Sequence, residues 1–309
     1  MSAKWTAKDI PDQTGRVAVV TGGNSGLGLV TVRELARKGA RVVLACRSTD
    51  KGEAAAGELD AGSNVEVRAL DLSALDSVRS FAADLGHHRV DLLVNNAGIM
   101  MTPPEKTAEG FELQLGTNHL GHFALTGLLL DRLGRADAAR VVTLSSIEHK
   151  SGHLDFDDLQ RERKYTPRSA YQQSKLANAA FGLELDRRLR VAGSSTISVL
   201  AHPGYSATNL QSTGPTGPMK ALLAVSNRIF AQSPDRGALP TLYAATAPDV
   251  EGGEYYGPDG FMEARGHPTT VQAIAEARDP AVGRRLWEVS EELTGVRYEL
   301  PNAASETAA

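Results

Sequence analysis

Apolar residues recur along the chain in short continuous runs, and these runs alternate with segments of helical periodicity. Runs of strand length lie at residues 16–20, 40–45, 65–70, 90–94, 140–144 and 196–201, with a short seventh at 254–256. Such runs are typical of parallel strands that are covered on both faces. Between them, apolar positions at helical spacing occur at 29–36, 75–85, 118–133 and 171–189. This alternation predicts an α/β fold with a Rossmann-type, doubly wound parallel sheet of about seven strands and helices on both faces.

The alternation shows no internal repeat and no linker, so residues 15–300 are predicted to form a single dinucleotide-binding catalytic domain. Residues 1–14 precede the first strand as an N-terminal extension. Residues 205–235 interrupt the pattern with glycine and proline followed by apolar residues, which predicts an apolar substrate flap. The small and polar residues 301–309 predict a disordered tail.

Composition excludes several classes of function. Apolar residues make up 41% of the chain and charged residues 23%, which is typical of an ordinary globular protein. A formal net charge of -4 provides no basic surface for nucleic acid. The single cysteine, Cys46, excludes an internal disulfide framework and favours a reducing compartment. Neither a signal-peptide core nor a membrane-spanning apolar run is found, so we expect no integral membrane segment and a cytoplasmic location.

The first strand leads directly into a glycine-rich segment at residues 21–28 and then into a helix. The spacing of its glycines is G-x-x-x-G-x-G, and the segment supplies Gly22, Asn24, Ser25, Gly26, Leu27 and Gly28 as candidate cofactor-binding residues. A helix N-terminus offers free N–H groups and a partial positive charge to a pyrophosphate. This context favours a dinucleotide-binding loop over the alternative, a plain glycine-rich turn.

The end of the second strand bears on the choice of cofactor. A fold that prefers NAD usually carries an acid there, which binds the ribose 2′-hydroxyl. Here Cys46 and Arg47 follow the strand, and a guanidinium could pair with a 2′-phosphate. The sequence therefore predicts NADP(H) in preference to NAD(H), with a solvated arginine at a strand end as the alternative.

Tyr171 and Lys175 are four residues apart in a predicted helix and therefore share one face of it. A free phenol with a pKa of roughly 10 is a poor acid or base at neutral pH. An adjacent ammonium favours the phenolate, so we expect Lys175 to lower the pKa of Tyr171 and make it a general acid/base. Taken alone, the pattern is weak and more often marks a surface tyrosine and a solvated lysine, so the functional interpretation depends on the rest of the chain.

Other polar residues follow the remaining strands or lie on the helix after the fourth one. They are Asp71 and Leu72, Asn95 to Gly98, Asn118, Ser145 and Ser146, and Pro203 and Gly204. Because the carboxyl ends of parallel strands meet at one edge of a sheet, we expect most of these residues to face one crevice. His119 and His122 could suggest a metal site, but no third ligand stands at metal-site spacing, so we expect no metal.

Together these motifs identify a family resemblance over nearly the whole chain. In this order, Thr21-Gly22-x-x-x-Gly26-x-Gly28, Asp71-Leu72, Asn95-Asn96-Ala97-Gly98, Asn118, Ser146, Tyr171-x-x-x-Lys175 and Pro203-Gly204 resemble the short-chain dehydrogenases/reductases. The segments 45–47, 117–122 and 174–178 are most similar to the branch of retinol dehydrogenases and protochlorophyllide reductases. Many members of that branch carry an N-terminal membrane anchor, and no such segment is recognised here.

The resemblance implies a role for each matching residue. Tyr171 would be the general acid/base, Lys175 would lower its pKa and bind the nicotinamide ribose, Ser146 would hold the substrate oxygen, and Asn118 would position a water. Asp71 and Leu72 would contact the adenine, Asn95, Ala97 and Gly98 would line the adenosine ribose and neighbouring cofactor atoms, and Pro203-Gly204 would cover the nicotinamide. Ser146 is preferred to Ser145 because the catalytic serine of the family is usually the second of such a pair. The interval to Tyr171 is longer than in most of the family, which is read as an insertion of this branch.

These observations predict an oxidoreductase that moves a hydride between NADP(H) and the carbonyl or alcohol group of a small lipophilic molecule, such as a ketone, an aldehyde, a retinoid or a steroid. The alternatives are a catalytically silent NADP(H) sensor on the same fold and a sugar-nucleotide epimerase or dehydratase. The apolar helices near residues 118–133 and 171–189 also predict a homodimer or homotetramer.

Overall fold

Every strand that the structure describes belongs to one sheet. The structure is a computed structural model and describes residues 4–59, 64–205 and 232–300. The strands are β1 (Val17–Thr21), β2 (Arg41–Cys46), β3 (Val65–Ala69), β4 (Leu92–Asn95), β5 (Arg140–Leu144), β6 (Ile197–Ala201), β7 (Tyr255–Pro258) and β8 (Pro268–Thr270). Their order across the sheet is β3-β2-β1-β4-β5-β6-β7-β8. The predicted α/β doubly wound sheet is confirmed; β1 to β7 are parallel, and the short antiparallel β8 at the edge was not predicted.

Helices connect the strands. They are α1 (Gly26–Arg37), α2 (Thr49–Gly57), α3 (Leu75–Ala83), α4 (Leu113–Leu115), α5 (Gly121–Gly134), α6 (Pro167–Val191), α7 (Pro234–Gly237), α8 (Leu239–Thr246), α9 (Ala275–Arg278) and α10 (Pro280–Thr294). A π-helical turn, Gly116–Leu120, joins α4 to α5. Short 3-10 helices lie at Ile147–Ser151, after β5, and at Phe261–Glu263, after β7.

The sheet separates two hydrophobic cores, as its alternating side chains require. In β1, Val19 points into the core formed with α3, α5, α6 and α10. Its neighbours Ala18 and Val20 point into the opposite core, which contains α1 and α8. Successive strand residues face opposite sides, so a strand with both sides covered must be apolar throughout. This is why most of the strands appear in the sequence as apolar runs, whereas the half-buried edge strand β3 carries Glu66 and Arg68.

The strand order reverses between β1 and β4. Open α/β sheets bind ligands beyond the carboxyl ends of their strands at such a switch point. The glycine-rich segment follows β1 at this edge, and the segment that starts with Asn96 follows β4. The fold therefore brings the two segments side by side.

Helix α6 is the longest helix, and its sequence explains both of its ends. Thr166 caps the start of the helix by accepting a hydrogen bond from the Ser169 amide. Pro167 occupies the first turn, where a backbone N–H would have no partner within the helix, so a proline is tolerated there. After the last turn, Gly193 adopts a left-handed φ of 67° that disfavours continuation of the helix. Tyr171 and Lys175 lie one turn apart near its N-terminal end.

Two predicted segments lie outside the described residues. Residues 206–231 make up most of the predicted apolar flap, and residues 301–309 make up the predicted disordered tail. In the N-terminal extension, the Trp5 ring packs edge-on against Tyr243, with centroids 5.2 Å apart. Within the parts of the chain that the structure describes, no helix combines the length and apolar character needed to cross a bilayer.

Candidate active site

The glycine-rich loop has the backbone geometry of a phosphate cradle. Gly22 and Gly26 adopt left-handed φ angles of 64° and 53°, which other residues adopt at a cost. A Cβ atom on Gly28 would lie 2.3 Å from the carbonyl oxygen of Gly22. Only glycine therefore lets α1 begin so close to the turn after β1, where its free N–H groups face the loop.

Polar side chains in this loop are not used by the fold. Ser25 occupies the N-cap position of α1, yet its hydroxyl makes no capping hydrogen bond. Asn24 forms no side-chain hydrogen bond with any residue that the structure describes. Leu27 packs against the adjacent hydrophobic core with part of its surface exposed. The loop thus offers polar groups and helix N–H groups to an anion without breaking existing bonds.

Arg47 is exposed at the end of β2 and makes no hydrogen bond or ion pair within the described part of the chain. Cys46 beside it is buried, and its Sγ atom donates to the carbonyl oxygen of Ser48 at 3.1 Å. Burial raises the pKa of the Cys46 thiol, so no negative charge is expected at this position. The guanidinium is therefore available to a ligand.

The two asparagines after β4 have different environments. Asn95 is completely buried, and its amide donates to the hydroxyls of Thr126 at 3.0 Å and Thr143 at 3.4 Å. Its predicted contact with an adenosine ribose could therefore involve only its main chain. Asn96 instead donates to the Thr21 carbonyl oxygen at 2.7 Å and so ties the loop after β4 to the glycine-rich loop. Ala97 and Gly98 continue this segment and are only half-buried.

Asp71 and Leu72 follow β3, where contact with an adenine was expected. One oxygen of the Asp71 carboxylate accepts bonds from the Ser73 amide at 2.9 Å and the Ser73 hydroxyl at 2.6 Å. Leu72 is buried, and its carbonyl oxygen would lie 2.4 Å from a Cβ atom on Gly121 of α5. Both residues thus help to shape the turn after β3, and their contact with an adenine remains a prediction.

Tyr171 is buried in the first turns of α6, with 5% of its surface exposed. Burial raises the pKa of its phenol to about 12; a hydrogen bond with Ser146 lowers that pKa, and the charge of Glu148 raises it. The expected net lowering of the Tyr171 pKa is therefore wrong, because burial is the largest cause and raises it. The Lys175 Nζ atom lies 5.9 Å from the centre of the phenol ring.

Lys175 is also buried, with 4% of its surface exposed, and burial lowers the pKa of its ammonium to about 8. Its Nζ atom donates to the Leu144 carbonyl oxygen at 3.2 Å, at the end of β5. A Cβ atom on Gly98 would lie 3.4 Å from the same Nζ atom. The Lys175 ammonium therefore lies beside Gly98. It has three N–H donors and the bond to Leu144 uses one of them, so two remain for a ligand.

Asn118 lies in the π-helical turn and is completely buried. Its side chain accepts a bond from the Ile99 amide at 2.8 Å and donates to the Ile99 carbonyl oxygen at 2.9 Å. The same amide group donates to the Ser174 hydroxyl at 2.9 Å. Asn118 thus fixes the segment after Gly98 against α6, while the water that it was expected to position stays a prediction.

The two serines after β5 are distinguished by their hydrogen bonds. The hydroxyl of Ser145 is buried and donates to the Lys175 carbonyl oxygen at 2.8 Å, so it joins β5 to α6. The hydroxyl of Ser146 is half-buried, accepts from the Glu148 amide at 3.2 Å and hydrogen-bonds to Tyr171. The geometry therefore favours Ser146 as the serine that faces a substrate oxygen.

His119 and His122 serve the interior of the protein. Nδ1 of His122 lies 2.9 Å from the Asn118 carbonyl oxygen, and Nε2 lies 2.8 Å from the Thr21 hydroxyl. Nε2 of His119 lies 2.9 Å from the Ser290 hydroxyl. Burial lowers the pKa of His122 to about 4 and that of His119 to about 3. Within the described residues, no group of three or more histidine, cysteine or acidic side chains is placed to hold a metal ion.

Two residues that shape the site were not identified from the sequence. Gln114 is completely buried; it accepts from the Met101 amide at 2.7 Å and donates to the Tyr165 hydroxyl at 3.1 Å. It thereby holds the loop before α4 against the start of α6. Glu263 contacts His202, beside Pro203 and Gly204. Neither glutamine nor glutamate stands in a pattern that distinguishes it from a solvated surface residue.

Residues 16–216 match the family model described as short chain dehydrogenase. The chain belongs to the short-chain dehydrogenases. It is 43% identical over 293 residues to "Retinol dehydrogenase 13" of Homo sapiens, a match that covers 91% of this chain and 85% of that protein. This similarity assigns the short-chain dehydrogenase to the retinol dehydrogenase-like branch. As a member of the family, it is an oxidoreductase of the CH–OH/C=O class that uses a nicotinamide cofactor.

Solved structures of other proteins share the fold. An uncharacterized protein from Mycobacterium Paratuberculosis matches with a TM-score of 0.83 and 46% identity, over 96% of this chain and 100% of that one. The Pseudomonas aeruginosa RhlG/NADP active-site complex matches with a TM-score of 0.63 and 26% identity, over 79% of this chain and 94% of that one.

Proposed function

We propose that this protein is an NADP(H)-dependent oxidoreductase that transfers a hydride between the nicotinamide and a carbonyl or alcohol carbon of a small lipophilic molecule, with Tyr171 as general acid/base. The observation that carries the proposal is the convergence of Tyr171, Ser146 and Lys175 at the end of β5, next to the glycine-rich loop. When bound, the nicotinamide supplies the hydride chemistry. The residues described above fit such a cofactor, because the loop offers free N–H groups and Lys175 faces Gly98 with unused donors.

Tyr171 supplies the proton in this proposal. A phenol with a pKa near 12 holds its proton at neutral pH, so it can donate to a carbonyl oxygen that gains negative charge. The Ser146 hydroxyl donates a second hydrogen bond to that oxygen and fixes its position. In the reverse direction, the same phenol must first lose its proton, which its raised pKa disfavours. At neutral pH the raised pKa thus favours the protonated phenol, the form from which carbonyl reduction starts.

Lys175 and Asn118 support the transfer. At neutral pH an ammonium with a pKa near 8 is mostly charged, and its charge stabilises the phenolate that proton donation leaves behind. Asn118 fixes the Gly98–Ile99 segment beside the ammonium through its paired bonds to Ile99. Its predicted water would then return a proton to the site, and Pro203-Gly204 would cover the nicotinamide.

Arg47 supports NADP(H) in preference to NAD(H). A guanidinium without a described partner, next to a neutral buried thiol, can form charge-assisted bonds to a 2′-phosphate. The preference for a lipophilic substrate is supported by the similarity to proteins named retinol dehydrogenase and by the apolar residues Ile99 and Met100 after Gly98. A cytoplasmic location remains part of the proposal and is supported by the single cysteine, which fits a reducing compartment.

The predicted homodimer or homotetramer rested on apolar faces of α5 and α6. In the structure, α10 of the same chain packs against these faces. Its Trp287 contacts Phe123 with ring centroids 5.2 Å apart. The Tyr298 hydroxyl donates to the Phe123 carbonyl oxygen at 2.6 Å and holds the segment after α10 in place. We therefore propose that the enzyme acts as a monomer.

The substitution Tyr171→Phe tests the proposal, with Tyr243→Phe as a matched control far from the site. NADPH binding would be followed by fluorescence, and NADPH consumption would be followed with a panel of lipophilic aldehydes and ketones. We expect Tyr171→Phe to lower turnover by about 10² to 10⁴-fold while leaving NADPH binding nearly unchanged. Retention of more than about a tenth of the wild-type rate would remove Tyr171 from its role. A wild type that binds NADPH but reduces no member of the panel would favour the silent sensor.

A further inference from the structure

Glu263 lies after β7, and its carboxylate contacts the segments that follow the two preceding strands of the sheet. Its Oε2 atom accepts a hydrogen bond from Nε2 of His202 at 3.0 Å, at the end of β6. Its Oε1 atom accepts from Nζ of Lys150 at 2.6 Å, in the 3-10 helix that begins after Ser146. One carboxylate therefore joins the carboxyl ends of β5, β6 and β7.

The His202 ring extends this connection to the next turn. His202 is completely buried, and its Nδ1 atom accepts from the Gly204 amide at 3.2 Å. Since Nδ1 accepts, the proton of the neutral ring lies on Nε2 and points to Glu263, an assignment made from the hydrogen-bond partners. Glu263 thus acts on the Pro203-Gly204 turn through a single rigid ring.

The backbone around Glu263 is held in an unfavourable conformation. Met262 and Glu263 both have left-handed φ angles, 52° and 54°. Non-glycine residues in this region are unfavourable and persist where the surroundings hold them. Met262 is 70% exposed, so burial of its side chain does not offset the cost. The two bonds of the Glu263 carboxylate hold this segment together with its main-chain bonds, such as that of the Glu263 amide to the Gly260 carbonyl oxygen at 2.9 Å.

The same segment is in close contact with the turn after β6. The Tyr205 amide donates to the Ala264 carbonyl oxygen at 2.7 Å. A Cβ atom on Gly204 would lie 2.4 Å from that oxygen and 2.8 Å from the Glu263 carbonyl oxygen. Any shift of Glu263 must therefore move the Pro203-Gly204 turn as well. The pKa of Glu263 is lowered to about 2 by its bonds to His202 and Lys150, so the carboxylate is charged throughout the neutral range.

We propose that Glu263 is a positioning residue that fixes the Pro203-Gly204 turn relative to the Ile147–Ser151 helix, and through them the nicotinamide end of the cofactor site. This inference rests on the proposed function, because it requires a dinucleotide that reaches from β1 to β6. The glycine-rich loop and Arg47 follow β1 and β2, whereas the segments joined by Glu263 follow β5, β6 and β7. A ligand that holds only the adenosine half would not extend across β4 and β5 to the Glu263 contacts.

The chain contains a matched control for a glutamate of this kind. Glu66 in β3 also bridges a histidine and a cation, with His87 at 3.0 Å and Arg68 at 2.5 Å. Its side chain is about as exposed as that of Glu263, 34% against 23%. Glu66→Gln therefore removes the same charge and the same kind of bridge at a place that our proposal does not connect with the nicotinamide.

The experiment compares the binding of NADP⁺ and of 2′,5′-ADP, which lacks the nicotinamide half, by isothermal titration calorimetry. The proteins are the wild type, Glu263→Gln, Glu66→Gln and Lys150→Met, and thermal unfolding of each is recorded. We expect Glu263→Gln to weaken NADP⁺ binding roughly tenfold, as the loss of one charge-assisted hydrogen bond typically does, and to leave 2′,5′-ADP binding unchanged. Glu66→Gln should change neither affinity.

Lys150→Met keeps the proposal testable where Glu263→Gln does not fold. The Lys150 side chain is 36% exposed, so its loss has little effect on folding, and we expect roughly threefold weaker NADP⁺ binding with unchanged 2′,5′-ADP binding. Equal weakening of both ligands, or unchanged NADP⁺ binding in the folded variants, would overturn the role of Glu263 alone. Failure of the wild type to bind either ligand would overturn the proposed function and this inference with it.

Discussion

On the β1–β2 side of the switch point, the candidate ligand groups are main-chain amides and polar side chains that the fold does not use. Asn24, Ser25 and Arg47 make no side-chain bonds within the described residues. On the β4–β7 side, almost every polar side chain near the site is already bonded. Lys175 and Asn118 are examples, since both are buried and both have main-chain partners. The first side is free to receive an anion, whereas the second is fixed before any ligand arrives.

The histidines show the same contrast. No histidine precedes His87 in the sequence, and the four histidines that are fully or almost fully buried all belong to the β4–β7 side. They are His119, His122, His149 and His202. Burial lowers the pKa of each of them, so each is neutral near pH 7. A buried neutral ring can accept one hydrogen bond and donate another, which suits a rigid network.

The two sides of the sheet differ because one suits charge recognition and the other suits proton transfer. Charge recognition needs accessible groups whose bonds form only with the ligand, because a guanidinium that is already paired gains little from a phosphate. Proton transfer needs groups held at fixed distances in a dry environment, where their electrostatic interactions are strong. Substitutions on the two sides should therefore differ in which measurement they change.

Loss of the Lys175 ammonium should give the largest effect and the sharpest contrast. We expect Lys175→Met to lower carbonyl reduction by about 10² to 10⁴-fold, because the phenolate left by proton donation loses its nearest cation. Binding of 2′,5′-ADP should be unchanged, since that ligand lacks the nicotinamide half beside which we propose that Lys175 acts. Steady-state rates and calorimetry measure the two quantities, with Lys164→Met, an exposed lysine, as the control. A parallel loss of 2′,5′-ADP affinity would break the proposed separation of the two sides.

Removal of the Trp287 ring tests the packing that supports the β4–β7 side. Trp287 is 2% exposed and contacts Phe123, and Tyr298 lies 4.3 Å from it between ring centroids. We expect Trp287→Ala to lower the free energy of unfolding by about 3–5 kcal/mol, as large-to-small changes in a core typically do.

Urea denaturation measures that loss, and light scattering of the wild type measures its mass. Phe261→Ala is the control, because the Phe261 side chain is 87% exposed. A dimeric or tetrameric wild type at micromolar concentration would contradict the proposal that α10 replaces a partner subunit. A change below about 1 kcal/mol for Trp287→Ala would show that α10 is loosely attached.

The double substitution Cys46→Asp with Arg47→Ile tests the β1–β2 side. It removes the free guanidinium and installs a carboxylate that repels a 2′-phosphate and can bind a ribose hydroxyl. We expect the wild type to prefer NADPH over NADH by about 10- to 150-fold, which corresponds to roughly 1.5 to 3 kcal/mol. The double variant should reverse the preference without changing turnover at saturating cofactor. Equal dissociation constants for both cofactors in the wild type would make Arg47 a solvated strand-end residue.

The smallest expected effect concerns acid. The pKa of His122 is about 4 in the folded chain and roughly 6.5 in the unfolded chain, so the unfolded chain binds more protons between these values. Stability from His122 is therefore present above pH 6.5 and is lost as the pH falls toward 4. Between pH 7 and pH 5 we expect a loss of about 2 kcal/mol from this residue.

Urea unfolding of wild type and His122→Gln at both pH values measures this contribution as the difference between their pH dependences. His153→Gln, whose side chain is 74% exposed, is the control and should behave as the wild type does. An identical pH dependence in all three proteins would contradict the view that the buried histidines of the β4–β7 side make it sensitive to acid.

Much of the fold and the chemistry could be predicted from local patterns. Most of the parallel strands appeared as apolar runs because both faces of the sheet are covered. The pairing of Tyr171 with Lys175 followed from the geometry of one helical turn, and the glycine-rich loop from its place between a strand and a helix. Each of these features depends on residues that are close together in the sequence.

Other features were decided only by contacts between distant parts of the chain. The pKa of Tyr171 rises because the folded chain removes water from the phenol, and no spacing in the sequence reports that desolvation. Asn95 and Asn96 are adjacent, yet one faces Thr126 inside the core and the other faces Thr21. Glu263 reaches Lys150, 113 residues earlier, only because β5, β6 and β7 are neighbours in the sheet. Local periodicity fixes the elements, whereas burial and pairing across the sheet fix what their side chains can do.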